Sequence, residues 1–165
     1  MLNNLILKSI PNLLILFFLF FEFSPNYFFD KQLIKPYMFF IVVYCWLCND
    51  YRKLSPFSIF ILCTIYDLIQ DGIVGLTCLF FLTIQYSQRK KFNELISNDF
   101  KENWVSFILS FTVYVSISSL TNVIFFEDKI SLKIMSLSYL FSIGLFPLFF
   151  SMVEKLSYKF RSYNE

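Results

Sequence analysis

Asp67 stands alone in an apolar run from Phe57 to Tyr86, closely followed by Gln70, Asp71, Gly72 and Gly75. A carboxylate inside a stretch of hydrocarbon length is costly, so it marks a place where a charge, a proton or a hydrogen bond is needed. Three states are open to it: protonated, paired with a cation, or capped by backbone N–H groups at the Gly72 turn. An ion or proton site needs partners, and the sequence offers no His, no intramembrane Arg and no second deeply buried carboxylate beside it. The expectation is therefore a structural or partner-binding residue that fixes two half-length helices. Glu22 is expected near the same side, at the edge of the apolar layer.

The other chemistry-bearing patterns read more plainly. Of the four cysteines (Cys45, Cys48, Cys63 and Cys78), Cys45 and Cys48 have the spacing of a redox or zinc pair, but no second pair and no His complete it, so that pair reads as small membrane-facing residues. Gly72 and Gly75 are two of only three glycines, which argues for a tight turn. Gly72-x-x-Gly75 lacks the third glycine and the lysine of a phosphate loop. A run rich in hydroxyls from Ser106 to Asn122 puts Thr112, Ser116 and Ser119 on one helical stripe, a pattern of close helix packing. A serine nucleophile would need a base, and none is visible. No enzyme, metal site or cofactor is expected, and a net charge of +2 implies no nucleic acid.

These residues need elements to hold them. The 165 residues are 57% hydrophobic, with 24 Phe and no Ala, and the mean hydropathy is +0.61. About 20 apolar residues span the roughly 30 Å hydrocarbon core, and several such stretches use up the chain. The expected fold is all-α: a single polytopic integral membrane domain over residues 1–165, with about six transmembrane helices, two of them short. The first runs from about Ser9 to Phe23, retained rather than cleaved, and is stopped by Ser24-Pro25-Asn26. A connection with Asp30, Lys31 and Lys35 leads to Pro36, which opens the second, to about Cys48. The third covers Phe57 to about Gln70 and the fourth Gly72 to about Tyr86. At about 15 residues each, this pair either crosses with help from its neighbours or forms a re-entrant hairpin. The fifth runs from Trp104 to Phe126 and ends at residues 127–129. The sixth runs from about Ile130 to Val153, with Pro147 inside it and a charged tail behind it.

Between the fourth and fifth spans, Phe92, Leu95, Ile96, Phe100 and Trp104 follow Arg89-Lys90-Lys91 at helical spacing. They predict one amphipathic helix over Arg89 to Trp104, lying on the bilayer surface or receiving a partner. With six spans and a cytoplasmic N-terminus, Lys8, Arg52, Lys53, Arg89, Lys90, Lys91, Lys101, Lys155, Lys159 and Arg161 share the cytoplasmic side. Lys31, Lys35, Lys129 and Lys133 fall on the other. That asymmetry places both termini inside.

Over Pro36 to Tyr86 the chain resembles the MreD family of bacterial rod shape-determining membrane proteins. A Pro opens an aromatic-rich span ending in Tyr44-x-Trp46. A short basic turn follows, then an apolar helix with one Asp, then a Gly-containing turn. Pro36, Trp46, Asp67 and Gly75 fall where that pattern expects them, and Pro147 before a basic tail is similar too. One departure is that the family's Gly four residues after the Asp is Asp71 here, with Gly72 next. The resemblance implies a non-enzymatic adaptor of the cell-elongation complex in the bacterial cytoplasmic (inner) membrane. It also implies MreC-like, MreB-like, RodA-like and class B penicillin-binding partners. The six-span layout also looks like the substrate-binding subunit of energy-coupling-factor transporters, which makes a small-solute transporter the alternative.

Overall fold

Apolar runs separated by short polar turns fold as six helices in the computed structural model: α1 Leu2–Phe23, α2 Met38–Asp50, α3 Pro56–Ile69, α4 Leu76–Asn93, α5 Phe100–Phe126 and α6 Leu132–Arg161. The structure describes residues 2–24, 35–70, 72–93, 99–126 and 132–161. Pro25, Asn26, Asp30, Lys31, Asp71, Leu95, Ile96 and residues 127–129, which carry parts of the sequence reading, lie outside the described residues, as do the side chains of Phe92 and Asn122.

The centre of the bundle is α2. Every residue from Phe39 to Cys48 is buried. A helix that is apolar all round must be kept from water, and five neighbouring helices cover it here. Around α2, α1 packs on α3, α3 on α4, α4 on α5 and α5 on α6. Phe18 and Phe149, with ring centroids 5.1 Å apart, join α6 back to α1. Aromatic side chains bind the ring to its axle. Phe39 stacks on Tyr66 of α3 at 4.4 Å, Phe40 meets Phe81 of α4 at 4.7 Å and Phe111 of α5 at 5.0 Å, and Tyr44 meets Phe146 of α6 at 6.0 Å. Each such pair contributes about 0.5–1.5 kcal/mol beyond simple area burial.

Successive helices alternate in direction, as contacts such as Phe100–Phe150 and Gln85 to the Leu54 carbonyl require. One end of the bundle therefore gathers Arg52, Lys53, Arg89, Lys90, Lys91, Lys101 and Lys155. The other end carries Glu22, Lys35, Asp67 and Gly75.

Four expectations are corrected. The shortest helices are α2 and α3, with 13 and 14 residues, not the third and fourth. The helix α4 has 18 residues, because it starts at Leu76 and continues through Arg89-Lys90-Lys91. Pro36 does not open α2 from within its first turn. The Met38 N–H turns back to the Pro36 carbonyl at 2.9 Å, so the helix starts two residues later. Among the described residues, Arg89 to Trp104 is divided between two helices of the bundle. Its basic start ends α4, and Phe100 and Trp104 begin α5, where Phe100 packs on Phe150 of α6 at 5.4 Å. Their apolar spacing thus serves the bundle. Finally, Cys45 and Cys48 face the core rather than the surroundings. All four cysteines are buried, since Cys45 and Cys48 lie on the enclosed central helix and Cys63 and Cys78 on the inner faces of α3 and α4.

The hydroxyl stripe of α5 is also divided. Thr112 reaches Tyr139 of α6 at 2.6 Å, whereas Ser119 turns back to the Ser116 carbonyl of its own helix at 2.9 Å. Among the described bonds, Thr112 joins helices while also meeting the Ile108 carbonyl of its own helix at 2.7 Å, and back-bonding satisfies the Ser119 hydroxyl locally.

Candidate functional site: two carboxylates at helix N-termini

The first four N–H groups of any helix lack partners within it. Usually a Ser, Thr, Asp or Asn just before the helix accepts one of them. The helix α2 is preceded by Pro36 and Tyr37, and Tyr37 gives no side-chain cap. Glu22, from the last turn of α1, supplies it: Oε2 accepts the Phe39 N–H at 2.9 Å. Ser142 of α6 supplies another, its Oγ accepting the Tyr37 N–H at 3.0 Å while donating to the Ser138 carbonyl at 2.7 Å. The start of the central helix is thus capped from two other helices.

The same arrangement recurs at α4. Asp67 is 4% exposed, and its Oδ2 accepts the Gly75 N–H at 2.8 Å, at the entrance to α4. The Thr77 hydroxyl and backbone N–H stand within hydrogen-bonding reach of the same carboxylate. The Asp67 carbonyl meanwhile accepts the Gly72 N–H at 3.1 Å, closing the end of α3. One residue ends one helix with its backbone and starts the next with its side chain. Both carboxylates sit at the positive end of a helix dipole, which favours their charge.

Tyr66 links the two caps. It precedes Asp67 on α3 and donates its hydroxyl to Glu22 Oε1 at 3.2 Å. On the other flank the Thr77 and Tyr114 hydroxyls are 3.0 Å apart, tying α4 to α5. Lys35 Nζ donates to the carbonyls of Glu22 and Ser24, at 3.2 and 2.9 Å, so it closes the end of α1 through backbone oxygens. The space beside Asp67 is a cavity of about 20 Å³, lined by Gly72, Thr77, Tyr114 and Ser118 among others. That has room for one water molecule.

The sequence candidates therefore separate. Asp67, Gly75 and Glu22 meet at this end of the bundle, and Glu22, half-buried, accepts bonds from two other helices. Gly75 has φ +100°, a left-handed conformation that glycine adopts without steric cost. Gly72 has no such need, and a Cβ there would meet only the Asp67 carbonyl at 3.9 Å. Pro36 lies just before the capped start of α2. Trp46 is elsewhere, fully buried in α2, with Lys53 Nζ 5.7 Å from its ring centre; it packs the core. Pro147 lies within α6, where it leaves the Ile143 carbonyl without its helical donor.

Tyr66, Thr77, Tyr114 and Ser142 escaped the sequence reading. One signal for the caps was present: neither α2 nor α4 has a capping residue of its own at its start, so a carboxylate elsewhere had to serve. Ser142 carried none.

Among the described residues no group of three or more His, Cys, Asp or Glu is placed to hold a metal ion. The arrangement can accept hydrogen bonds and hold helices in register; no nucleophile–base pair is formed within it. Comparison with known proteins finds no matching family model, no matching curated protein and no matching solved structure.

Proposed function

We propose that this chain is a polytopic membrane scaffold, a non-catalytic adaptor of the bacterial cell-elongation complex that supports rod shape and lateral peptidoglycan synthesis. The observation that carries the membrane placement is the inverted distribution of apolar surface. The central helix is covered on all sides, while Phe17, Phe20, Phe57, Leu109, Leu120 and Leu148, each more than half exposed, line the outside of α1, α3, α5 and α6. Phe100–Thr121 and Ile134–Tyr158 are long and apolar enough to cross a bilayer, and only 22% of an 18-residue apolar stretch within each is buried. The core helix of a water-soluble protein would be mostly enclosed; these present apolar faces outward, as lipid contact demands.

The adaptor role follows from the resemblance to MreD, joined to the use made of the polar groups. Glu22 and Asp67 are occupied in capping helices, and Tyr66, Thr77 and Tyr114 in joining them. The polar residues thus build a fixed shape whose outer faces and short loops are left for other membrane proteins. MreC-like, MreB-like, RodA-like and class B penicillin-binding proteins are the partners proposed. The placement is the bacterial cytoplasmic membrane with both termini inside, the basic end of the bundle facing the cytoplasm. The cavity of about 20 Å³ beside Asp67 has room for a water molecule but not for a vitamin-sized solute, so that carboxylate faces no solute-sized space.

Depletion of the protein in its native cell, with imaging of shape and of new wall synthesis, tests the role. Rounding with loss of lateral synthesis is the expected result. Normal rods with normal lateral growth would overturn it.

A further inference from the structure

The basic end of the bundle contains a built cavity that the scaffold role does not use. It has a volume of about 500 Å³ and lies between the α2–α3 turn and the C-terminal part of α4. Arg52 enters from the turn and Arg89 from α4, with Tyr51 and Tyr86 beside them and Pro56 and Leu82 as apolar walls. The residues lining it include no Asp or Glu. Asp50, the nearest acid along the chain, is paired with Lys53 at 3.8 Å and also accepts the Arg52 N–H at 3.3 Å.

The wall is fixed rather than a chance gap between side chains. The Gln85 amide donates to the Leu54 carbonyl at 2.8 Å and to the Tyr51 carbonyl at 3.4 Å, tying the turn to α4. Arg52 Nε donates to the Tyr51 hydroxyl at 3.2 Å, which orients the guanidinium. Ser55 caps α3 through the Ser58 N–H at 3.0 Å, and Ser55 and Pro56 belong to the lining. The start of α3 therefore borders the same space, with its Ser58 N–H held by Ser55 and with Pro56 carrying none.

Two guanidiniums and tyrosine hydroxyls around one cavity are the chemistry of phosphate recognition, in which Arg forms paired hydrogen bonds to two oxygens at once. The surface beside it supplies the second half of the ligand. Tyr86 of the lining and Leu79, two helical turns before it on the same face of α4, are 73% and 72% exposed, and Phe57, next to the lining residue Pro56 on α3, is 72% exposed. We infer that this cavity binds the phosphate headgroup of an anionic lipid, with the lipid's hydrocarbon chain lying along that α3–α4 flank. The site rests on the membrane placement proposed above and is independent of the adaptor role.

The test uses the full chain in nanodiscs of mixed phosphatidylglycerol and phosphatidylcholine, with co-purifying lipids counted by native mass spectrometry. The wild type should retain phosphatidylglycerol preferentially. The double variant R52Q/R89Q should insert equally well and lose that preference by roughly tenfold or more, the equivalent of one charge-assisted hydrogen bond. R52K/R89K, which keeps the charge without the fork, should fall between them, and K90Q/K91Q should stay close to wild type. Unchanged selectivity in R52Q/R89Q overturns the site. So does displacement of the lipid by inorganic phosphate as readily as by phosphatidylglycerol, since the apolar flank would then contribute nothing. A wild-type chain that stays out of the nanodiscs overturns the membrane placement itself, an outcome separate from a loss of selectivity in a variant that inserts.

Discussion

Glu22 Oε2 accepts the backbone N–H of Phe39 at 2.9 Å, so a side chain at the end of α1 caps the start of the helix that every other helix surrounds. Its second oxygen holds the Tyr66 hydroxyl, and the carboxylate therefore secures three helices at one point. Substituting Leu for Glu22 leaves both donors without a partner in an enclosed setting, at about 1–3 kcal/mol for each group left unsatisfied. Gln keeps one carbonyl acceptor and one of the two bonds. Thermal unfolding of the purified protein should rank wild type above Glu22→Gln and Glu22→Gln above Glu22→Leu. Equal midpoints for all three would show that the cap carries no stability.

Asp67 offers a test that separates structure from charge. Its bond to the Gly75 N–H needs an acceptor oxygen, which Asn retains, while the charge is lost. Asp67→Asn should be made at normal abundance, cost about 1 kcal/mol in stability and keep its cellular function. Asp67→Leu should be unstable and scarce. An Asn variant that is abundant yet wholly inactive would establish an obligate charge or proton at this position and end the structural account.

The two glycines of the turn should behave differently on substitution. Gly75, at φ +100°, cannot take a side chain without strain although the space around it is open. Ala there should cost about 1 kcal/mol or more. Ala at Gly72 meets ordinary contacts only, and by reducing the freedom of the unfolded chain it should be neutral or slightly stabilising. Unfolding midpoints of the two single variants decide the matter, and a Gly72→Ala variant as damaged as Gly75→Ala would refute the distinction.

Much of the architecture could be read from apolar run lengths. Runs such as Trp104 to Phe126 are too long and too apolar for anything but a helix, and polar clusters such as Asn49 to Pro56 stop them. The Asp67–Gly75 turn was legible for the same reason, because a lone carboxylate followed by two glycines in an apolar run has few other uses. Boundaries were less so. Phe100 and Trp104 have the spacing of a surface helix, and only the position of Phe150 shows that they cover α6 instead.

The sequence by itself determined that the chain is helical, which polar clusters interrupt its apolar runs and which carboxylate must be satisfied locally, because these depend on residue types within a few turns of one another. Tertiary structure alone decided that α2 is the axle, that Cys45, Cys48 and Trp46 are enclosed, and that Glu22 and Ser142 cap a helix far from them in the chain. An evenly apolar helix carries no pattern to say which face is covered. A hydrogen bond between Ser142 and Tyr37 spans 105 positions, and only the packing of α6 against α2 brings its two ends together.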